Sequence, residues 1–307
     1  MKPDCSLSYV LTTRNKLPFL REVMQRLLAN AKPDEEVVAV DGGSTDGTVE
    51  YLRELANAGR IHQFISERDR GEAHGMNKAV LRARGECIKL ISDDDAFFWR
   101  GIQECKQFML GHPEVDAIAS DGWMTDCTRP DHFAPGIHRH GYENYRDHGV
   151  EFEFSGLGLM LRRRSLALTG LFDPRFLRVD MEFALRLTSG PANLAWYAGY
   201  LWVRIQNDRS NGITAMQRVV EDTIKLRRYY GVVHRGATAA VIAEDAARAL
   251  LRPWKQKLTR RALAEVEAAP QTYQFKEDWP AVFARCDAWL ESKNREQPPQ
   301  FLTRNRR

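Results

Sequence analysis

Gly85–Phe97, GECIKLISDDDAF, decides how the chain is read. Glu86–Ile91 is a short apolar run of strand length, and it ends on Ser92 followed by Asp93, Asp94 and Asp95. Carboxylates side by side repel one another unless a cation or a donor joins them. Hard divalent ions such as Mg²⁺ or Mn²⁺ take oxygen ligands and often bridge one or two carboxylates to a diphosphate. An acidic helix N-cap would explain Asp95 alone. Three in a row after a buried strand favour a metal, and spacing leaves open which two lie nearest to it.

The same arrangement repeats upstream. Leu7–Thr13 (LSYVLTT) reads as a strand, Arg14–Lys16 as a polar turn, and Leu17–Asn30 as a helix with apolar residues at helical spacing. Glu36–Val40 is a second strand ending at Asp41, and Asp41–Thr48 (DGGSTDGT) is a glycine-rich turn. Thr45 or Asp46 can cap the following helix, Thr48–Ala58. Ile61–Ile65 is a third strand and Ala73–Ala83 a third helix. After the acidic run come a helix, Arg100–Leu110, and a strand, Ala117–Ser120, ending at Asp121. Strands alternating with helices of about 10–15 residues predict βαβ units, so the expected class is α/β with a mixed, mostly parallel sheet. Ligands of such sheets bind beyond the carboxyl ends of the strands, where Asp41, Asp93–Asp95 and Asp121 fall.

Downstream the pattern changes. Thr125–Glu153 is rich in His, Pro, Gly and aromatic residues without a period, and reads as a long irregular segment. Gly156–Leu161 reads as a strand, Ser165–Thr169 and Glu182–Leu187 as helical, and Leu194–Val203 as another strand. From Thr214 the chain is mainly helical, with Arg218–Tyr230, Thr238–Leu251 and Pro280–Lys293 clearest, and Gln297–Arg307 reads as a frayed tail.

Composition bounds the possibilities. The 307 residues, 43% hydrophobic and 28% charged, exclude a disordered chain, a collagen or a rod. Five scattered cysteines without a CxxC pair argue against a disulfide framework or a cysteine-built zinc site, and for a reducing compartment. No apolar run reaches about 18 residues, and Met1–Ser6 is not a secretory signal. The net charge of +4 is too small to argue for nucleic acid. It is unevenly placed, because Arg248–Arg261 holds six basic residues and no acidic one around Trp254. Such a stretch suits an anionic membrane surface or a polyanionic acceptor, or else a solvated helix face. His132, His138, His140 and His148 crowd the irregular segment, but their spacing matches no zinc pattern.

Four stretches together resemble the family 2 glycosyltransferases of the GT-A fold: VLTTRNKLPFLREVMQRLL, EEVVAVDGGSTDGTVEYL, SERDRGEAHGMNKAVLRARGECIKLISDDDAF and GLGLMLRRRSLALTGLFDPRFLRVDMEFALRLT. They stand in the family's order and cover about residues 6–210. The resemblance implies an inverting enzyme with a nucleotide-sugar donor, UDP being the commonest carrier, and a glycan or lipid-linked acceptor. It implies a catalytic domain over 1–212, with a nucleotide-sugar half at 1–122 and an acceptor half at 123–212, followed by a helical extension at 213–307. It carries Thr12 and Arg14 to the nucleobase and ribose, Asp41 to the base, and Asp69, Arg70 and Asn77 to the ribose and diphosphate. Asp93 and Asp94 would face the donor, with Asp95 and Asp93 as ligands of Mn²⁺ or Mg²⁺. Asp180 takes the place of the catalytic base and Glu182 is its backup. Trp123, Gly156 and Arg178 would face the acceptor, together with aromatic residues such as Phe133, Tyr142 and Tyr145.

Two positions depart from the family's pattern. Val179 stands where it usually has Glu, and Gln206 where many members carry His, leaving Arg204 or Arg209 to meet phosphate. Two other readings compete. A sugar-phosphate nucleotidyltransferase would want a glycine-rich phosphate loop after the first strand, and Thr12–Lys16 has no glycine. A non-catalytic carbohydrate-binding relative would tolerate the changes at Val179 and Gln206. The expected location is the cytoplasm, with the basic block at the inner face of a membrane.

Overall fold

The computed structural model describes residues 5–126, 129–207, 216–231 and 278–304. Its centre is one ten-stranded mixed sheet. β1 (Leu7–Thr13), β2 (Glu35–Asp41), β3 (Gln63–Ser66) and β4 (Cys87–Ile91) pair in parallel in the order β3-β2-β1-β4. Three helices connect them: α1 (Leu17–Asn30), α2 (Thr48–Asn57) and α3 (Glu72–Arg82). Every residue of β2 is buried, as expected of a strand covered on both faces. Side chains such as Leu11, Leu20 and Val38, all 0% exposed, contribute about 1.5–3 kcal/mol each by leaving water.

Register is what builds a site from these strands. Thr13 pairs with Asp41 and Asp41 with Ser66, while Leu11 pairs with Ile91. The carboxyl ends of β1, β2 and β3 therefore form one row, and the acidic run leaves β4 beside it. The short β5 (Ala96–Phe97) and α4 (Trp99–Gly111) follow.

The second half joins through β8 (Met160–Arg162), which runs antiparallel between β4 and β6 (Ala117–Asp126). The long β9 (Leu194–Gln206) pairs in parallel with β6 and antiparallel with β5. Along this half lie α5 (Arg139–His148), α6 (Leu166–Thr169), α7 (Val179–Ser189) and α8 (Met216–Tyr229).

The sequence reading needs correction at three places. Thr125–Glu153 is not irregular throughout: it holds β7 (Arg129–Gly136), an edge partner of β6, and α5. The two prolines of β7 hide its strand period, and α5 is capped from afar. Asp121 Oδ1 accepts the backbone N–H of His138 at 2.5 Å and of Arg139 at 3.1 Å, a cap no local motif announces. Gly156–Gly158 forms a 3-10 turn, and the strand begins only at Met160. A side chain on Gly158 would meet the Ser120 backbone at 2.9 Å, so this turn lies directly on β6. Finally, the C-terminal segment is built in rather than frayed as far as residue 304. α9 (Trp279–Glu296) packs on α1 and β9, and β10 (Phe301–Leu302) pairs with Trp196 and Tyr197 of β9. The predicted helix Thr238–Leu251 and the basic block Arg248–Arg261 lie outside the described residues.

Candidate active site

The glycine-rich turn after β2 is held by Asp41. Its buried carboxylate accepts the N–H groups of Gly43 and Ser44 and the hydroxyl of Ser66, at 2.9–3.1 Å through Oδ2. Asn15, at a left-handed φ of 55°, joins this turn to the loop after β1. Its N–H donates to Ser44 Oγ and its Oδ1 accepts from Thr45 N–H. Asp46 caps α2 through Thr48 and also accepts the Leu17 N–H at 3.1 Å.

Glycines bring the next groups together. A Cβ on Gly42 would meet Asp69 Oδ2 at 2.3 Å, and one on Gly75 would meet Asp69 and the Thr12 methyl, each at 3.3 Å. Thr12, Gly42, Asp69 and Gly75 thus form one wall, with Thr12 and Asp69 half-buried. Arg14 and Arg70 are exposed beside it. Asn77 turns elsewhere: its side-chain amide donates to the Phe172 carbonyl and accepts the Phe172 N–H, both at 2.8 Å. It clamps α3 to the segment before α7.

Three adjacent aspartates have three different environments. Asp95 is buried; its Oδ1 accepts the Ile205 N–H and its Oδ2 the Ser92 hydroxyl, each at 2.8 Å. Asp94 forms an ion pair with Lys16, both side chains 13% exposed, and Asn207 Nδ2 donates to the same oxygen at 2.9 Å. Asp93 is half-buried. Burial first, then the neighbouring Asp94 charge, pushes both Asp93 and Asp95 above the usual carboxylate range. Lys16 opposes this at Asp93 and Arg204 at Asp95. Sequence reasoning did not single out Lys16 or Asn207 as partners of the run. They are separated from Asp94 by 78 and 113 residues, and no local pattern reports such a pairing.

The donor chemistry fits a hard divalent cation of limited protein ligation. Asp93 keeps part of its surface exposed, and the described contacts of Asp94 all fall on Oδ2. Asp95, expected as a ligand, has both oxygens engaged by internal donors. Among the described residues, no three His, Cys, Asp or Glu side chains form a ligand group. Two carboxylates with phosphate oxygens and water would complete the shell, a common pattern for Mg²⁺.

Asp180 and Glu182 differ sharply. Both lie in the first turn of α7. Asp180 keeps a third of its side chain exposed, 3.9 Å from Arg178, with Gly156 packed against its Cβ. Arg178 also reaches Glu153 at 3.6 Å, and Glu153 pairs with Arg227 at 3.0 Å. Glu182 is 3% exposed, held by Arg186 at 2.8 and 3.0 Å and by the Tyr230 hydroxyl at 3.0 Å. Val179 lies in the apolar cluster with Phe172 and Phe183, so a hydrophobic residue suits that position.

The irregular segment's residues divide in the same way. Tyr142 and Tyr145 are 0% and 1% exposed and pack in the core on Trp196 and Phe152, so neither can face a sugar. Trp123 packs edge-on to Trp289 of α9 at 5.2 Å and against Tyr200 at 5.4 Å, and Phe133 stacks on Trp289 at 4.3 Å. His132, His140 and His148 are exposed. His138 is half-buried near Glu153 and Asp180, and burial lowers its pKa while those carboxylates oppose the shift. Arg204 and Gln206 are exposed at the end of β9, and Arg209 lies outside the described residues.

Comparison with known proteins follows the same outline. The family model described as Glycosyl transferase family 2 matches residues 8–168, just over half of the chain. TuaG of Bacillus subtilis, named for teichuronic acid biosynthesis, is 28% identical over 105 residues, 34% of this chain and 42% of that protein. The match spans less than half the length of the curated relatives. Among solved structures, S. aureus TarS 1-349 in complex with UDP-GlcNAc superposes with a TM-score of 0.54 at 15% identity, covering 74% of this chain and 66% of that one. The mannosyltransferase PcManGT from Pyrobaculum calidifontis, in complex with GDP-Man and Mn²⁺, gives 0.53 at 18% identity, covering 94% and 88%. These likenesses show the GT-A fold. No helix among the described residues is long and apolar enough to cross a membrane.

Proposed function

The chain belongs to glycosyl transferase family 2, and from that membership we propose that it transfers a sugar from a nucleotide diphosphate donor to a hydroxyl acceptor with inversion. The observation that carries this reading is the division of carboxylates: Asp93 and Asp94 beyond β4, and the accessible Asp180 at the start of α7. Thr12, Asp69 and the Asp41-braced turn would receive the nucleoside, with Arg14 and Arg70 at its edge. A hexosyl or N-acetylhexosaminyl donor on uridine diphosphate is the first to test, since TarS was solved with UDP-GlcNAc. GDP-Man, the PcManGT ligand, is the second.

Asp93 and Asp94 would hold Mn²⁺ or Mg²⁺, which when bound offsets the charge developing on the leaving diphosphate. Asp180 would accept the acceptor hydroxyl's proton as that oxygen attacks the anomeric carbon. One carboxylate base suffices for a single displacement, and Glu182, locked by Arg186 and Tyr230, would serve the fold instead. Arg178 and Gly156 flank the base and would border the acceptor. Trp123 would act from further back through its packing with Trp289.

On this reading, residues 1–122 form the donor half, 123–212 the acceptor half and 213–307 the extension. A glycan or lipid-linked acceptor fits the TuaG likeness. The basic stretch 248–261 would meet an anionic membrane at its cytoplasmic face, a step resting on composition alone.

Transfer and donor hydrolysis are to be measured across UDP- and GDP-sugars with Mn²⁺, beside Asp180→Asn and Asp93→Asn. The expected result is one preferred donor, an α-to-β or β-to-α change of anomer by NMR, and loss of turnover in both variants. Retention of anomeric configuration, or full turnover in Asp180→Asn, would overturn the mechanism. Co-sedimentation with anionic vesicles tests the membrane step; equal pelleting by a full-length chain with the six basic residues of 248–261 made neutral rejects it.

A further inference from the structure

Lys16 lies in this site without a role in the proposed chemistry. It ends the loop after β1, and its ammonium sits on Asp94 Oδ2 with only 13% of either side chain exposed. Asn207, at the end of β9, closes a ring. Its Nδ2 donates to the same Asp94 oxygen at 2.9 Å, and its Oδ1 accepts from Lys16 Nζ at 3.5 Å. A second Asn207 bond, to the Ile205 carbonyl at 3.1 Å, fixes the amide to β9. Groups following β1 and β9 thus converge on one carboxylate oxygen of the loop after β4. Phe19, with its ring centre 5.5 Å from Nζ, backs the ammonium. Burial disfavours the charged amine, but the charges of Asp94, Asp93 and Asp95 and the bond to Asp94 outweigh it and raise its pKa.

We propose that Lys16 is a resident cation of the acidic run, which a divalent metal displaces from Asp94 only when a nucleoside diphosphate enters with it. The inference rests on the reading of Asp93 and Asp94 as metal-facing residues. A dication on Asp94 Oδ1 and the Lys16 ammonium on Oδ2 would stand on one carboxylate in a partly dry site, where two positive charges repel strongly. A metal arriving alone must evict the ammonium and leave it half-buried and unpaired, which is costly. A metal arriving with a diphosphate brings that ammonium a new anionic partner. Lys16 therefore couples the two ligands: each binds better when the other is present, and the coupling is reciprocal.

The test uses the full-length chain and Mn²⁺, read by the electron paramagnetic resonance signal of free Mn²⁺, with and without UDP. In the parent protein, Mn²⁺ alone should bind weakly and UDP should tighten it strongly. Lys16→Met, which keeps length and removes charge, should bind Mn²⁺ alone at least tenfold more tightly, and the gain from UDP should shrink correspondingly. Lys16→Arg should keep the parent's weak binding, which separates charge from packing. Asn207→Ala, which loosens the ring without removing the charge, should show an intermediate gain and serves if Lys16→Met does not fold. Unchanged or weaker Mn²⁺ binding in the folded charge-removing or ring-loosening variant overturns the inference alone. Absence of Mn²⁺ binding by every protein even with UDP overturns the metal–diphosphate reading as well.

Discussion

Asp180 and Glu182 lie two residues apart in one helical turn, and exchanging each for its amide should give opposite outcomes. Asp180→Asn removes a carboxylate that is a third exposed and bonded only locally, through Oδ1 to the Met181 N–H at 2.8 Å. An amide fills the same space and keeps that acceptor, so the melting temperature should move little. Turnover should fall about 100- to 10,000-fold, the usual worth of a general base. Glu182→Gln does the reverse. It breaks a pair whose carboxylate is 4% and guanidinium 29% exposed, leaving Arg186 without its counter-charge. Removing one partner of a buried pair costs about 3–5 kcal/mol. The lower end applies because Arg186 still reaches the Thr169 and Leu171 carbonyls and Gln can still accept from Tyr230. At about 2 °C per kcal/mol, the melt should drop by roughly 6 °C. Well below that melt, turnover should stay within a few-fold of the parent. Thermal unfolding and single-turnover kinetics on both variants decide the matter. An inactive, fully stable Glu182→Gln beside an active Asp180→Asn would refute the assignment.

Three further outcomes follow from particular contacts. Lys89 is fully buried in β4, its ammonium donating to the Leu157 and Leu159 carbonyls; Lys89→Met should loosen the Gly156 turn, raising acceptor KM while UDP affinity measured by calorimetry stays put. Trp289→Ala removes the ring between Trp123 and Phe133, and should cost about 3 kcal/mol by denaturant titration while exposing α9 to proteolysis. Burial pushes Asp121 up to about 6. The folded state then holds the proton more tightly than the unfolded one, so its cost to stability accrues as pH rises from about 4 to 6 and is complete above 6. Asp121→Asn keeps Oδ1, which accepts both α5 N–H groups, and so should melt higher than the parent at pH 7.5 and level with it at pH 4. A variant less stable at both values would show that the charge itself holds α5.

The first half of the fold was legible because its signals are local. Leu7–Thr13 and Leu17–Asn30 coincide with β1 and α1, since buried parallel strands are continuous apolar runs and α1 has a strong apolar stripe. Beyond Asp121 the signals become long-range. α5 depends on a cap 17 residues away, and the Gly156–Gly158 turn is held at its Leu157 carbonyl by Lys89 from another strand. The tail joins the sheet through Phe301, stacked on Phe108 at 3.9 Å. None of these contacts leaves a period in the residues that make it.

The acidic run shows the same limit within three letters. Composition marks Asp93, Asp94 and Asp95 as one cluster, and the strand before them says where they lie. Which does what depends on groups more than 70 residues away. Asp95 points back into the sheet, and the Ile205 N–H makes it the joint between β4's exit and β9. Asp94 points to the loop after β1, where Lys16 meets it. Asp93, half-buried, makes neither of these contacts. If the joint is structural, Asp95→Asn should lower stability, because both Asp95 oxygens accept and the amide's Nδ2 must now face one of those two donors. Asp93→Asn should leave the melt intact and weaken Mn²⁺–UDP binding. Equal effects of the two changes on both measurements would mean that the run acts as one pooled charge, and that the separate environments of its members have no consequence.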